Sequence, residues 1–247
     1  LPDDHLWAAG NSETPAGVGF VANLPTEEIF TAPLKTGVNG TVCAALPLVN
    51  NGSIIEDIRF TVREGRIVEA KASRGEDVLN AAIGVDGGAR YFGEVALVPY
   101  DSPIRSSGLL FYNTLFDENA ACHLALGMGF ADTIRGFEEK TLEECRALGV
   151  NDSMIHEDFM IGSEDMDIDA VCAQGCSENI RRRFQRVHLQ AGRSVGVVRR
   201  QRPLGKRITV RVDIPLCQPA RVAVAHGKIV RRARTRNLRQ RIPMLRH

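Results

Sequence analysis

Ile155-His156-Glu157-Asp158-Phe159-Met160-Ile161 carries three large apolar residues, Ile155, Phe159 and Ile161, in the short bounded run expected of a β-strand. Side chains two apart on a strand share a face, so His156 and Asp158 point together at one spot. An imidazole beside a carboxylate offers a borderline nitrogen and a hard oxygen, a pair suited to a divalent metal. A surface ion pair has the same spacing, so the metal reading needs partners from elsewhere in the chain.

Upstream, acidic and imidazole side chains sit at the edges of apolar segments. Glu27 and Glu28 precede Ile29-Phe30, Glu94 opens Glu94-Val-Ala-Leu-Val98, and Glu118 and His123 flank Asn119-Ala-Ala-Cys122. A rigid element can hold such a residue and still face it into a cavity. If Glu28, Glu94, Glu118 and Asp158 converge with neutral His123 and His156, two divalent cations neutralise the four carboxylates. Without metal the carboxylates would repel one another and some would bind protons.

The rest of the acidic half reads as an α+β fold with a mixed, largely antiparallel sheet and short helices. Thr41–Leu48, Ile54–Val62 and Arg66–Ala72 are expected as strands joined by Asn50-Asn51-Gly52 and Arg63-Glu64-Gly65, both turn signals. Glu94–Val98 reads as a buried strand. Glu76–Ile83, Asn119–Gly127 and Thr141–Leu148 read as helices, the last capped by Thr141. On that reading Glu118 lies at or before the first turn, His123 one turn in, and Cys122 about 100° away as packing. Pro99 and Pro103 bracket a rigid loop expected to line a substrate cleft.

Four stretches resemble the metalloaminopeptidase family of aminopeptidase T and aminopeptidase S: Asn23–Pro33, Ala89–Ile104, Leu110–Gly127 and Ile155–Ser163. They keep the family's order and similar gaps over roughly residues 1 to 169. The resemblance implies a dinuclear metal-dependent exopeptidase that removes amino-terminal residues from peptides, with cobalt, zinc or magnesium as the metal and a homodimer as the assembly. Carried over residue by residue, the metal ligands fall on Glu28, Glu94, Glu118, His123, His156 and Asp158. Glu28 is preferred to Glu27 as the acid directly before the apolar pair, and Glu118 is either a ligand or an acid supporting one. The family has a tyrosine seven residues after the first histidine, where this chain has Phe130. A phenyl ring can neither bind a metal nor hydrogen-bond a reacting oxygen, so a functional hydroxyl is lost here unless the match slips by a residue in this Gly-rich stretch or the ring only packs. The resemblance also places a further domain ahead of Leu1, whose surroundings lack the basic, apolar opening of a signal peptide.

Charge divides the chain. Residues 1–169 hold 11 Lys and Arg against 28 Asp and Glu, a net of −17, whereas residues 170–247 hold 20 against 2, a net of +18. The acidic part fits a cytoplasmic peptidase whose field attracts a free amino terminus. The basic part holds 18 Arg but only 2 Lys, with runs at Arg181–Arg183, Arg199–Arg200 and Arg231–Arg232. It has almost no aromatic residues for base stacking and no recognisable nucleic-acid-binding motif. A poorly ordered tail translated out of frame is therefore favoured, with at most nonspecific polyanion binding. An inactive fragment with only that binding is the competing functional reading. Ile208–Ile214 alternates and is allowed as a chance strand. Cys43, Cys122 and Cys145 read as reduced core thiols, and Cys172, Cys176, Cys217 and His188 lack the paired spacing of a zinc module. No apolar run approaches the roughly 18 residues that span a bilayer, so a soluble protein without a membrane partner is expected.

Overall fold

The structure, a computed structural model, describes residues 1–21, 26–164, 166–172, 177–179 and 208–213. Ala8–Ala9, Ile29–Thr31, Phe92–Leu97, His123–Gly127 and His156–Met160 pair antiparallel, in that spatial order, as a five-stranded sheet. The α+β class expected from the hairpins and short helices is the class observed.

Register gives the sheet two unlike faces. Glu94 pairs with Ala125 and Ala125 with Asp158, so these three side chains form a row across three strands. His123 and His156 are two residues from members of that row and fall on the same face. Val95, Leu97, Leu124, Leu126 and Phe159 point the other way, into the main apolar core. Phe92 belongs to that core too, although it is two residues from Glu94 and would share its face in a regular strand. A bulge between Phe92 and Glu94 inserts Gly93 and reverses the alternation. Glycine is required there: a Cβ on Gly93 would come within 2.0 Å of the Met128 carbonyl oxygen.

The apolar face is covered by the antiparallel sheet Gly40–Cys43, Arg59–Arg63, Arg66–Lys71 and by the helix Glu76–Ala82. Phe60 reaches across to Phe92 and Phe159 with ring centroids 6.1 and 5.2 Å away, edge to face. Both expected turns form, and both central residues of each have positive φ, Asn51 and Gly52 in one, Glu64 and Gly65 in the other. The strands they join are shorter than expected. Thr41–Leu48 splits into Gly40–Cys43 and Leu48–Asn50 because the chain turns at Ala45, whose N–H donates to Met160 of the central sheet, and then meets Pro47. Ile54–Val62 splits into Ser53–Ile55 and Arg59–Arg63 at Asp57, which takes φ 54°.

Three other expectations are corrected or refined. Asn119–Gly127 is not a helix: Glu118–Ala120 forms one 3-10 turn and His123–Gly127 is a strand with every residue buried. Its alanines and leucines favour helix intrinsically, but a strand covered on both faces needs no polar alternation and pairing with two neighbours decides. Cys122 is packing, as expected, though because it sits in the apolar core beside Val98, not because of a helical angle. Cys43 is disulfide-bonded, not a reduced thiol, since spacing along a chain does not reveal which cysteines meet in space. Cys122 and Cys145 are free and buried.

Thr141 caps the helix Leu142–Ala147 through a reciprocal capping box with Glu144. Ser102, in the proline-bracketed loop, caps an unforeseen short helix, Pro103–Ser107. Ile208–Asp213 pairs with Asp167–Cys172, so the expected strand forms. The expectations for the Arg runs, for Cys176, Cys217 and His188, and for a poorly ordered tail fall almost wholly outside the described residues. Among the described residues no helix is long and apolar enough to cross a membrane.

Candidate metal centre

All six residues singled out in the sequence come together on the polar face of the central sheet. Three sets of side chains bring ligand atoms within 4.8 Å of one another: Glu28, Glu94 and His123; Glu94, His156 and Asp158; and Glu118, His123 and Asp158. His123 Nε2 lies 2.9 Å from Glu28 Oε2 and 3.3 Å from Glu94 Oε1. His156 Nε2 lies 3.7 Å from Glu94 Oε2 and 3.4 Å from Asp158 Oδ1. Glu94 therefore turns one oxygen to each histidine and stands between two clusters.

Each ring is oriented from behind. The Nδ1 of His123 donates to the Ala121 carbonyl at 3.1 Å, and that of His156 donates to the Met128 carbonyl at 2.7 Å. A carbonyl can only accept, so Nδ1 carries a proton, and a ring in its neutral form presents the Nε2 lone pair to the cluster. That lone pair then faces carboxylate oxygens, acceptors meeting acceptors. The contacts are close yet poorly directed, and the buried Glu28 Oε2 and Asp158 Oδ1 have no hydrogen bond. Acceptors crowded round a common point without donors are the donor set a divalent cation requires, and the residues fit one.

In the absence of a cation, protons take its place. Burial raises the Glu94 carboxyl, helped by the neighbouring Asp158, and the His123 interaction only partly offsets it. Burial likewise pushes Glu118 up to about 8, with Asp158, Glu28 and Glu94 adding to the effect. Burial opposes charge on both histidines, but the carboxylates outweigh it, raising His123 well above its ordinary value and His156 to about 9. Asp158 is lowered despite burial, because His156 and His123 favour its charged form.

Several supporting residues left no signal in the sequence. Asn119 is buried beside Glu118, and its Oδ1 accepts from the Glu27 N–H at 2.8 Å while its Nδ2 donates to the Leu115 carbonyl at 3.1 Å. This amide ties the segment carrying Glu28 to the turn carrying Glu118. Glu27 thus contributes its backbone, whereas the neighbouring Glu28 contributes its side chain. Ala125 stands in the row between Glu94 and Asp158, and its methyl group leaves room there that a larger side chain would fill. Phe130, by contrast, was singled out in the sequence, and it lies against His156 with ring centroids 4.7 Å apart.

Residues 1–183 match the family described as thermophilic metalloprotease (M29). The chain belongs to the M29 metalloprotease family. M29 relatives include aminopeptidase AmpS of Bacillus subtilis (strain 168), 52% identical over 180 residues, which are 73% of this chain and 44% of the relative. Aminopeptidase T of Thermus aquaticus is 45% identical over 183 residues, 74% of this chain and 44% of the relative. The solved structure of wild-type AmpT from Thermus thermophilus superposes with a TM-score of 0.68 at 44% identity, covering 72% of this chain and 44% of that one. The chain thus spans less than half the length of these M29 relatives. The matched span runs past Asp169 as far as the first Arg run, Arg181–Arg183.

Proposed function

We propose that the protein is the catalytic part of a dinuclear metal-dependent aminopeptidase acting on peptide amino termini. The observation that carries this reading is the position of Glu94, whose two carboxylate oxygens face two different histidine Nε2 atoms. One cation would be held by Glu28, Glu94 and His123, the other by Glu94, His156 and Asp158, with Glu118 beside both. Bound divalent metal, whether cobalt, zinc or magnesium, would polarise a peptide carbonyl and lower the pKa of a water.

The protein's own groups do the rest. Ala121 and Met128 hold the two rings with Nε2 inward through their carbonyls. Glu94 fixes the separation of the two positions. Among the described residues Glu118 is the one acid of the four with no histidine ion pair, which leaves it free to take a proton from water and return it to the leaving amine. The acidic surroundings favour the cationic amino terminus of a substrate over an internal peptide bond. The same reading includes a homodimer, a cytoplasmic setting, and an out-of-frame origin for the Arg-rich run beyond the matched span.

The test is metal content and hydrolysis of an aminoacyl p-nitroanilide at saturating metal. His156→Ala and Asp158→Ala should each lose most of the activity and bind less metal, while Glu27→Gln should keep both close to wild type. Equal loss in all three would sink the assignment of these acids.

A further inference from the structure

The cluster is almost closed. His123 is 1% exposed and Glu94 5% at the side chain, whereas His156 reaches 18%, the largest value among the paired site residues. A substrate therefore approaches past His156. Against that ring rests Phe130, itself 36% exposed, with its ring plane tilted 47° to the imidazole. Phe130 also meets Phe30 in an edge-to-face contact, with ring centroids 6.0 Å apart. Phe130 is not loosely hung: its carbonyl accepts from the buried Thr133 hydroxyl and backbone N–H, and the same hydroxyl accepts from the Ala32 N–H next to the central sheet. An apolar ring left half open to water, held rigidly at the mouth of a charged site, has an evident use for a side chain that arrives with the reacting group.

We propose that Phe130 is the specificity-determining residue of this site and that it selects substrates whose first side chain is apolar. This rests on the aminopeptidase reading. Once the amine and carbonyl of the first residue are held at the metal centre, its side chain reaches the rim, where the ring against His156 offers an apolar surface. A leucine or phenylalanine side chain loses water against that ring; an alanine methyl covers little of it, and a glutamate would leave its charge among Glu28, Glu94 and Asp158.

Binding of amino acid hydroxamates to the metal-loaded full chain, measured by calorimetry, tests this without requiring turnover. Leucine hydroxamate should bind on the order of tenfold tighter than alanine hydroxamate, and glutamate hydroxamate weaker than either. In Phe130→Ala the leucine-to-alanine ratio should fall to within about threefold, and Phe130→Leu should retain most of it. Acetohydroxamate, which has no side chain to place, should bind all three proteins alike and so report that the metals are intact. A ratio unchanged in Phe130→Ala, with acetohydroxamate binding preserved, would overturn the role given to Phe130 and leave the metal centre standing. Failure of acetohydroxamate to bind wild-type protein would overturn the metal centre and the pocket with it.

Discussion

The two faces of the central sheet are built from the same strands yet obey opposite rules. On one, Val95, Leu97, Leu124, Leu126 and Phe159 are buried against Phe60 and Leu79, and each contact stabilises the fold. On the other, Glu28, Glu94, His123, His156 and Asp158 are crowded into ion pairs with Glu118 beside them, and two carboxylate oxygens are left without a hydrogen bond. Buried charges of this kind cost free energy unless each is matched. The apolar face thus carries a load that the polar face imposes, and the difference shows which side evolved for stability and which for chemistry. Strand alternation makes this possible, because one chain direction serves both surfaces at once.

The largest expected effect comes from the stabilising face. Phe159 is completely buried between Phe60 and Phe92, next in sequence to Asp158. Phe159→Ala should cost about 3–5 kcal/mol of stability from lost burial and the cavity left behind. Chemical denaturation of the metal-free protein measures it. Glu118→Gln, on the opposite face, should leave metal-free stability much closer to wild type, since burial already holds that carboxyl protonated near neutrality and the amide keeps its shape without charge. If the two substitutions destabilise equally, the division of labour between the faces is wrong.

The second effect is on pH. Glu118 at about 8 and His156 at about 9 both hold protons at neutral pH in the metal-free protein, and both must release them to bind a cation. Metal affinity should therefore rise with pH up to about 9 and fall below it, by on the order of a hundredfold per pH unit near neutrality if these two protons are released together. Stability of the metal-free protein should run the other way. For groups with raised folded-state pKa, the contribution is fully present below the unfolded value. It is lost as pH rises through the folded one, here from the unfolded glutamate range to about 9. Titration of metal into buffers of different ionisation enthalpy counts the protons. A metal affinity flat between pH 6 and 8 would remove the competition between proton and cation that defines the polar face.

How much of this contrast was legible before folding depends on where the information lay. His156 and Asp158 were readable because their spacing and their strand are local. Glu94 was readable as a charged residue heading an apolar run, but not the Gly93 bulge that turns it away from the core, since a bulge is defined by its partner strand. His123 was singled out but placed in the wrong element: Asn119–Gly127 has helix-favouring residues, and only burial between two strands makes His123–Gly127 extended. The short hairpin turns were plain because Asn-Gly and Glu-Gly act within a few residues. Asn119 and the carbonyls of Ala121 and Met128 left no trace, because a backbone acceptor has no sequence signature and a buried asparagine resembles any other.

Asn119 gives the smallest and most discriminating test, since it touches the polar face only through others. Its carboxamide bridges the Glu27 N–H and the Leu115 carbonyl, and so fixes the distance between the segments that carry Glu28 and Glu118. Asn119→Ala removes both hydrogen bonds and frees one segment relative to the other without deleting any ligand. Partners that orient metal-binding side chains from behind typically alter affinity by about 10–100-fold, and a loss in that range is expected. Asn119→Asp keeps the acceptor for Glu27 but loses the donor to Leu115 and adds charge beside four acids, so it should rescue little at neutral pH. If Asn119 merely filled space, Asn119→Leu would restore metal affinity along with packing. If it positions Glu28, Asn119→Leu should recover thermal stability of the metal-free protein while metal affinity stays low. That split between stability and affinity is the measurement that separates a residue serving the polar face from one serving the core.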